Sequence, residues 1–126
     1  MRDQRLWTWH VLAGLVILVF LGLHMAIMHL DVLLGFLNFN PADPHPIAWA
    51  NVVARAKMGF FTVSYVVLLG AALFHGLYGL RNILFELGPG RGVKSALNVL
   101  LTAGGVGLFV FGAWAAWAAG VLARTL

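Results

Sequence analysis

The fold turns on residues 58–85, MGFFTVSYVVLLGAALFHGLYGLRNILF, a run whose only formal charge is Arg81. A bilayer core of about 30 Å is crossed by about 20 apolar residues in a helix, and this run exceeds that length. It stops at Glu86-Leu87-Gly88-Pro89-Gly90, where glycine and proline chemistry terminates a helix. Upstream, Ile47 to Lys57 reads as a short interfacial helix leading into the span. Before it, residues 38–46 hold Pro41, Pro44 and Pro46 among Asn and Asp, a loop composition. An earlier apolar stretch covers residues 6–37, with its membrane part at 7–30. Downstream, residues 95–122 form another, with Gly104, Gly105, Gly107 and Gly112 offering close helix approach. The expected architecture is an all-α membrane protein of three transmembrane helices, up-down-up. It makes one anchor domain, 1–126, that contributes to a larger helical bundle.

Composition agrees. Of 126 residues, 62% are hydrophobic and 10% charged, whereas soluble domains are near half apolar and a quarter charged. A chain of this length makes one domain with no room for a large water-soluble catalytic domain, so if it belongs to an enzyme the substrate chemistry falls to another subunit. There is no cysteine, which excludes disulfides, iron–sulfur clusters and thiolate catalysis within the chain. The net charge of +4 comes from cations scattered singly between apolar blocks, not from a basic stripe, so nucleic-acid binding is not expected. With the N-terminus cytoplasmic, Arg2, Arg5, Arg81, Arg91 and Lys94 lie inside and Arg55, Lys57 and Arg124 outside, a positive-inside bias. The first apolar run is too long for a signal peptide and lacks a small-residue cleavage site, so it is read as a retained span.

Any metal ligation falls to the five histidines. An imidazole inside a span is costly and usually partnered, so each is a functional hypothesis. His75 precedes Glu86 by eleven residues, placing it roughly 16 Å from that helix end. His24 follows Trp7 by seventeen, roughly 25 Å from the same face. A depth difference of about 9 Å on this count makes them poor candidates for one haem, but possible half-sites of two, completed by a partner subunit. Gly76 and Gly79 leave room beside His75 for a flat macrocycle, and Arg81 lies between it and the interface, where a guanidinium pairs with a propionate.

From His75 to Gly88 the chain reads His-Gly-Leu-Tyr-Gly-Leu-Arg-Asn-Ile-Leu-Phe-Glu-Leu-Gly. This resembles the second-helix signature of the cytochrome b membrane-anchor subunit of succinate dehydrogenase/fumarate reductase, respiratory complex II. His75, Gly79, Leu80, Arg81 and Glu86 fit that pattern in register. Asn82 stands where the family usually has a second His, and Glu86 where it usually has Asp. His10-Val11-Leu12-Ala13-Gly14 is a weaker match to the family's His-Arg-x-Ser-Gly, with Val11 and Ala13 as departures.

The resemblance implies haem b, one or two per complex, with His75 and His24 as axial iron ligands shared with a partner subunit. It implies Arg81, His10 and Gly79 beside the haem propionates, and Trp7, His10 and Glu86 as candidate quinone neighbours. The implied partners are a second small membrane subunit, an iron–sulfur subunit and an FAD flavoprotein, with lipid and quinone around them. The implied location is a prokaryotic cytoplasmic (inner) membrane, and the implied role is electron transfer to quinone, not catalysis by this chain.

Plainer readings apply elsewhere. His29 is turned about 140° from His24 and reads as structural, His45 as a loop residue, and the five tryptophans as interface anchors. Met25 and Met28 read as packing. Two alternatives stay open: a haem-free quinone-binding anchor, and a cytochrome b subunit of another respiratory oxidoreductase. A proton relay through His24, His29 and Glu86 would need polar residues along the third span, which offers only Asn98 and Thr102 between Ala96 and Leu122.

Overall fold

The computed structural model describes residues 2–36 and 47–126. These form four helices: α1 Arg2–Phe36, α2 Trp49–Lys57, α3 Gly59–Glu86 and α4 Arg91–Ala123. Three of them contain segments long and apolar enough to cross a bilayer, at Gln4–Ala26, Gly59–Glu86 and Arg91–Ala123. The described residues are therefore all-helical, with three helices long and apolar enough to span a membrane, as the sequence predicts, and the short helix before the second span is also present. The expected Pro-rich loop at 38–46, with His45, lies outside the described residues.

The boundaries follow from backbone chemistry. Met58 is extended, with φ −89° and ψ 115°, and this one residue turns the chain from α2 into α3. At the other end Gly88 takes φ 70°, a left-handed conformation that glycine adopts without Cβ strain and that commonly ends helices. Its N–H donates to the Phe85 carbonyl at 3.1 Å. Pro89 follows and excludes continuation. At 1.5 Å per residue, α3 and α4 reach about 42 and 50 Å, longer than a hydrocarbon core, so their ends project into headgroups or the helices tilt.

Among the described residues α3 is central, packed on α1 along one face and on α4 along the other, while α1 and α4 do not pack on each other. Both interfaces are antiparallel, giving the up-down-up order. Across α1–α3, His10 meets His75 and His24 meets Tyr65. Across α3–α4, Arg81 meets Asn98, and Gly70 meets Phe109. The N-terminal end of α1 thus shares an end of the bundle with the α3–α4 turn. There Arg5, Arg81, Arg91 and Lys94 gather, as the charge count assumed, while α2 and the end of α4 carry Arg55, Lys57 and Arg124.

The apolar side chains face outward. Leu18 and Phe60 are each 70% exposed, and Ala123 is the one buried hydrophobic residue among those described. In water such a surface would be untenable. In a bilayer the tails are as apolar as leucine, and helices associate through close packing of small residues. Trp7, Trp9, Trp49, Trp114 and Trp117 are all exposed.

The glycines of α4 divide. A Cβ at Gly105 would stand 2.6 Å from Leu77 Cδ1, and one at Gly112 would stand 2.5 Å from Leu69 Cδ2; these two do allow close approach. Gly104 and Gly107 have nothing within 4 Å, so the expectation of close approach at those positions is corrected: they lie on an open face. Gly120, which no sequence pattern marked, is buried and holds α2, with the Ala56 carbonyl oxygen 3.2 Å from where its Cβ would be.

Candidate functional site

The α1–α3 interface brings His75 against His10. Their imidazoles are parallel, 4.0 Å apart at the centroids and inclined by 8°. Two glycines permit this. A Cβ at Gly14 would lie 3.1 Å from His75 Cε1, and one at Gly79 would lie 3.3 Å from His10 Cε1. Gly79, expected beside the haem propionates, here makes room for His10. Tyr78 tilts toward His10 at 5.2 Å and stacks on Phe74 at 5.8 Å.

His75 Nδ1 lies 3.0 Å from the backbone carbonyl oxygen of His10. A carbonyl oxygen only accepts, so Nδ1 carries the proton. With Nδ1 protonated, Nε2 is the ring nitrogen left for a ligand, and it has no hydrogen-bond partner among the described residues. This is the arrangement by which proteins fix a ligating histidine: Nδ1–H to a carbonyl, Nε2 to the metal. His10 differs, because its Nδ1 is buried without any hydrogen-bond partner among the described residues.

Among the described residues no three or more of His, Cys, Asp and Glu cluster. Protein-only metal centres need three or four ligands, whereas a macrocyclic iron needs only one or two axial ones. His75, with its ring fixed by the His10 carbonyl, has the orientation that could hold such an iron, while the space at Gly14 and Gly79 is taken up by the two imidazoles themselves.

His24 is elsewhere. Its ring meets Tyr65 edge-on at 5.9 Å, in a small hollow of about 130 Å³ with Phe20, Phe61 and Ser64. Tyr65 precedes His75 by ten residues on α3, so the two histidines stand about 15 Å apart along the bundle. This corrects the smaller separation counted from helix ends, because the α1–α3 register sets His75 level with His10 and Gly14. The structure thus keeps His24 and His75 apart, as anticipated. A hollow of that volume is only a few waters' worth, so a macrocycle at His24 would need groups from outside this chain.

Arg81 is turned toward α4, away from His75. Its Nε donates to Asn98 Oδ1 at 2.6 Å and an Nη1–H donates to Asn82 Oδ1 at 3.1 Å. Its guanidinium lies 4.3 Å over the Phe85 ring. It lines a groove of about 630 Å³ between α3 and α4, floored by Gly70 and Gly105 and walled by Phe74, Leu77, Val106 and Phe109. Residues 75 and 81 are six apart, about 240° around the helix, so His75 and Arg81 serve different faces. Trp7 and Glu86 are exposed at the same end of the bundle, and His29 and Met25 are exposed on α1.

Sequence reasoning missed Asn98 as the acceptor for Arg81 and Tyr65 as the neighbour of His24. The one cue was that polar residues are so few in the spans that each needs a partner.

The chain is similar to the succinate dehydrogenase hydrophobic membrane anchor subunit of Archaeoglobus fulgidus, with 26% identity over 106 residues. The match covers 84% of this chain and 81% of that protein. No family model matches the chain, and no solved structure matches it significantly.

Proposed function

We propose that this chain is a membrane-anchor subunit of a succinate dehydrogenase/fumarate reductase-type complex, in which it binds haem b and serves electron transfer to quinone. The observation that carries the reading is the His75 Nδ1–H donated to the His10 carbonyl, which holds Nε2 as a free ligand. The named relative, matched along most of both chains, supports the anchor role. Haem, when bound, supplies one-electron chemistry at a potential set by its axial ligands and their surroundings.

His75 on α3 would hold the haem iron from this chain. His10 fixes its tautomer through the main chain and packs its ring. His24, at a second depth, is a half-site that a second small membrane subunit completes. Arg81 and Gly79 lie at the same end as the candidate quinone neighbours Trp7, His10 and Glu86. Docking of iron–sulfur and FAD flavoprotein subunits at that end, taken as the cytoplasmic side of a prokaryotic inner membrane, accords with its four clustered cations.

The test is a reduced-minus-oxidised spectrum with pyridine-haemochrome quantitation on the purified complex, repeated for His75→Ala and His24→Ala. Two haems, a different one lost in each variant, is the expected result. Haem lost only with His75→Ala would make His24 structural. Absence of haem in the parent complex would leave the second reading, a haem-free quinone-binding anchor. That reading is favoured by the mutual stacking of His10 and His75, which gives each ring a partner without iron.

A further inference from the structure

The groove between α3 and α4 belongs to neither histidine. It runs from Arg81 and Asn98 at one end to Gly70 and Phe109 at the other. That is eleven residue steps along each helix, about 16 Å, the scale of much of an acyl chain. Its body is apolar, and Arg81 is the charged residue that lines it; Lys94 stands one helical turn before Asn98, beside the mouth. Arg81 from α3 and Lys94 from α4 both approach the Phe85 ring, at 4.3 and 5.4 Å from its centroid. Arg81 and Lys94 are half-buried, and neither forms an ion pair with a carboxylate among the described residues. A guanidinium has five N–H donors, and Arg81 commits two of them, to Asn98 and Asn82. The remainder are available at the mouth.

Two like charges gathered on one ring repel unless an anion joins them. A neutral occupant such as a quinone leaves that charge uncompensated, whereas an anionic headgroup neutralises it. The mouth also lies in the last turns of α3 and the first turn of α4, at headgroup depth, where basic pockets between spans bind anionic lipid.

We propose that the α3–α4 groove is a specific site for an anionic phospholipid. Its phosphate bridges Arg81 and Lys94, and one acyl chain lies along Leu73, Leu77, Leu101 and Val106.

The test is native mass spectrometry of the full chain released from detergent, titrated with dioleoyl phosphatidylglycerol or with dioleoyl phosphatidylcholine. Three variants accompany the parent: Lys94→Gln at the mouth, Val106→Trp to fill the groove, and Arg91→Gln as a charge-matched control. One phosphatidylglycerol should be retained at least about tenfold more tightly than phosphatidylcholine. Lys94→Gln should weaken it about fivefold, the worth of one interfacial cation, and Arg91→Gln much less. Val106→Trp should abolish retention while helix content by circular dichroism stays at the parent value. If that variant loses its helices, the comparison of Lys94→Gln with Arg91→Gln decides alone. Equal retention of the two lipids, or equal effects of the two charge variants, overturns the proposal. Release of the lipid by inorganic phosphate, with Val106→Trp behaving as parent, overturns the acyl groove and leaves only a surface for phosphate.

Discussion

His75 lies face to face with His10 at 4.0 Å and hydrogen-bonds, through Nδ1, to the main-chain carbonyl oxygen of that same residue. One residue of α1 therefore sets both the plane and the tautomer of an imidazole on α3. The carbonyl also closes the α-helical turn to Gly14, whose missing side chain opens the space that the ring of His75 enters. Position 14 is accordingly where the arrangement is most sensitive.

At Gly14, a Cβ would meet His75 Cε1 at 3.1 Å and Nδ1 at 3.2 Å. Alanine asks the ring to give by a few tenths of an ångström, but valine adds methyl groups that drive it off the carbonyl. If His75 holds haem as proposed, Gly14→Ala should therefore keep the haem content of the purified complex. Gly14→Val should lower His75-dependent haem roughly tenfold, the loss of a hydrogen bond worth about 1–1.5 kcal/mol. Pyridine-haemochrome quantitation reads both, and parental haem in Gly14→Val would show that the hydrogen bond does not hold the ligand.

A second prediction uses the orphaned Nδ1 of His10. A buried polar atom without a partner costs about 1–3 kcal/mol, and phenylalanine removes it while keeping the stack on His75 and the main-chain acceptor. His10→Phe should raise the thermal unfolding midpoint of the chain in detergent by an amount corresponding to about 1 kcal/mol. His10→Ala, which loses the stack, should lower it. If both variants fall together, Nδ1 is bonded to a group outside the described chain.

Much of this was legible from the sequence. Residues 58–85 announce a span because no soluble helix needs so long a predominantly apolar run, and Gly88-Pro89 announces its end. His75 stood out because a membrane imidazole needs a reason. The facing of side chains between helices was hidden, because it depends on interhelical register. All three spans are apolar around their circumference, so no stripe marks which face packs. Register decides that His10 meets His75, that Arg81 turns to Asn98, and that Gly105 and Gly112 touch α3 while Gly104 and Gly107 do not. Six residues of helix rotation put Arg81 at the α3–α4 interface while His75 is at the α1–α3 interface.

The Arg81–Asn98 contact gives a third prediction. Its 2.6 Å geometry is that of a charge-assisted hydrogen bond, worth about 1.5–3 kcal/mol. A double-mutant cycle with Arg81→Met and Asn98→Leu, read by unfolding in mixed dodecyl sulfate micelles, should return a coupling energy in that range. Asn98→Asp should be at least as stable as the parent, since it keeps the acceptor and adds an opposite charge. A coupling near zero would mean that Asn82 and the Phe85 ring hold Arg81 by themselves.

The last prediction concerns how α2 is attached. Gly120 is buried under it, and a Cβ added there would meet the Ala56 carbonyl oxygen at 3.2 Å and Thr62 Oγ1 at 3.6 Å. A flexible leucine tip can rotate away from an added methyl, as Leu77 can from position 105, but a main-chain carbonyl moves only with its helix. Gly120→Leu should therefore lift α2 from α4 at a cost of about 1–3 kcal/mol. In hydrogen exchange followed by mass spectrometry this appears as faster exchange of the Trp49–Lys57 amides. Gly104→Leu is the control: position 104 has nothing within 4 Å, and replacing a mid-helix glycine there gains up to about 0.8 kcal/mol of helix propensity. It should leave α2 exchange unchanged. Matching exchange in the two variants would mean that α2 rests on α3 and not on Gly120. Selective acceleration in Gly120→Leu would establish that a single missing Cβ near the end of the third span docks the interfacial helix.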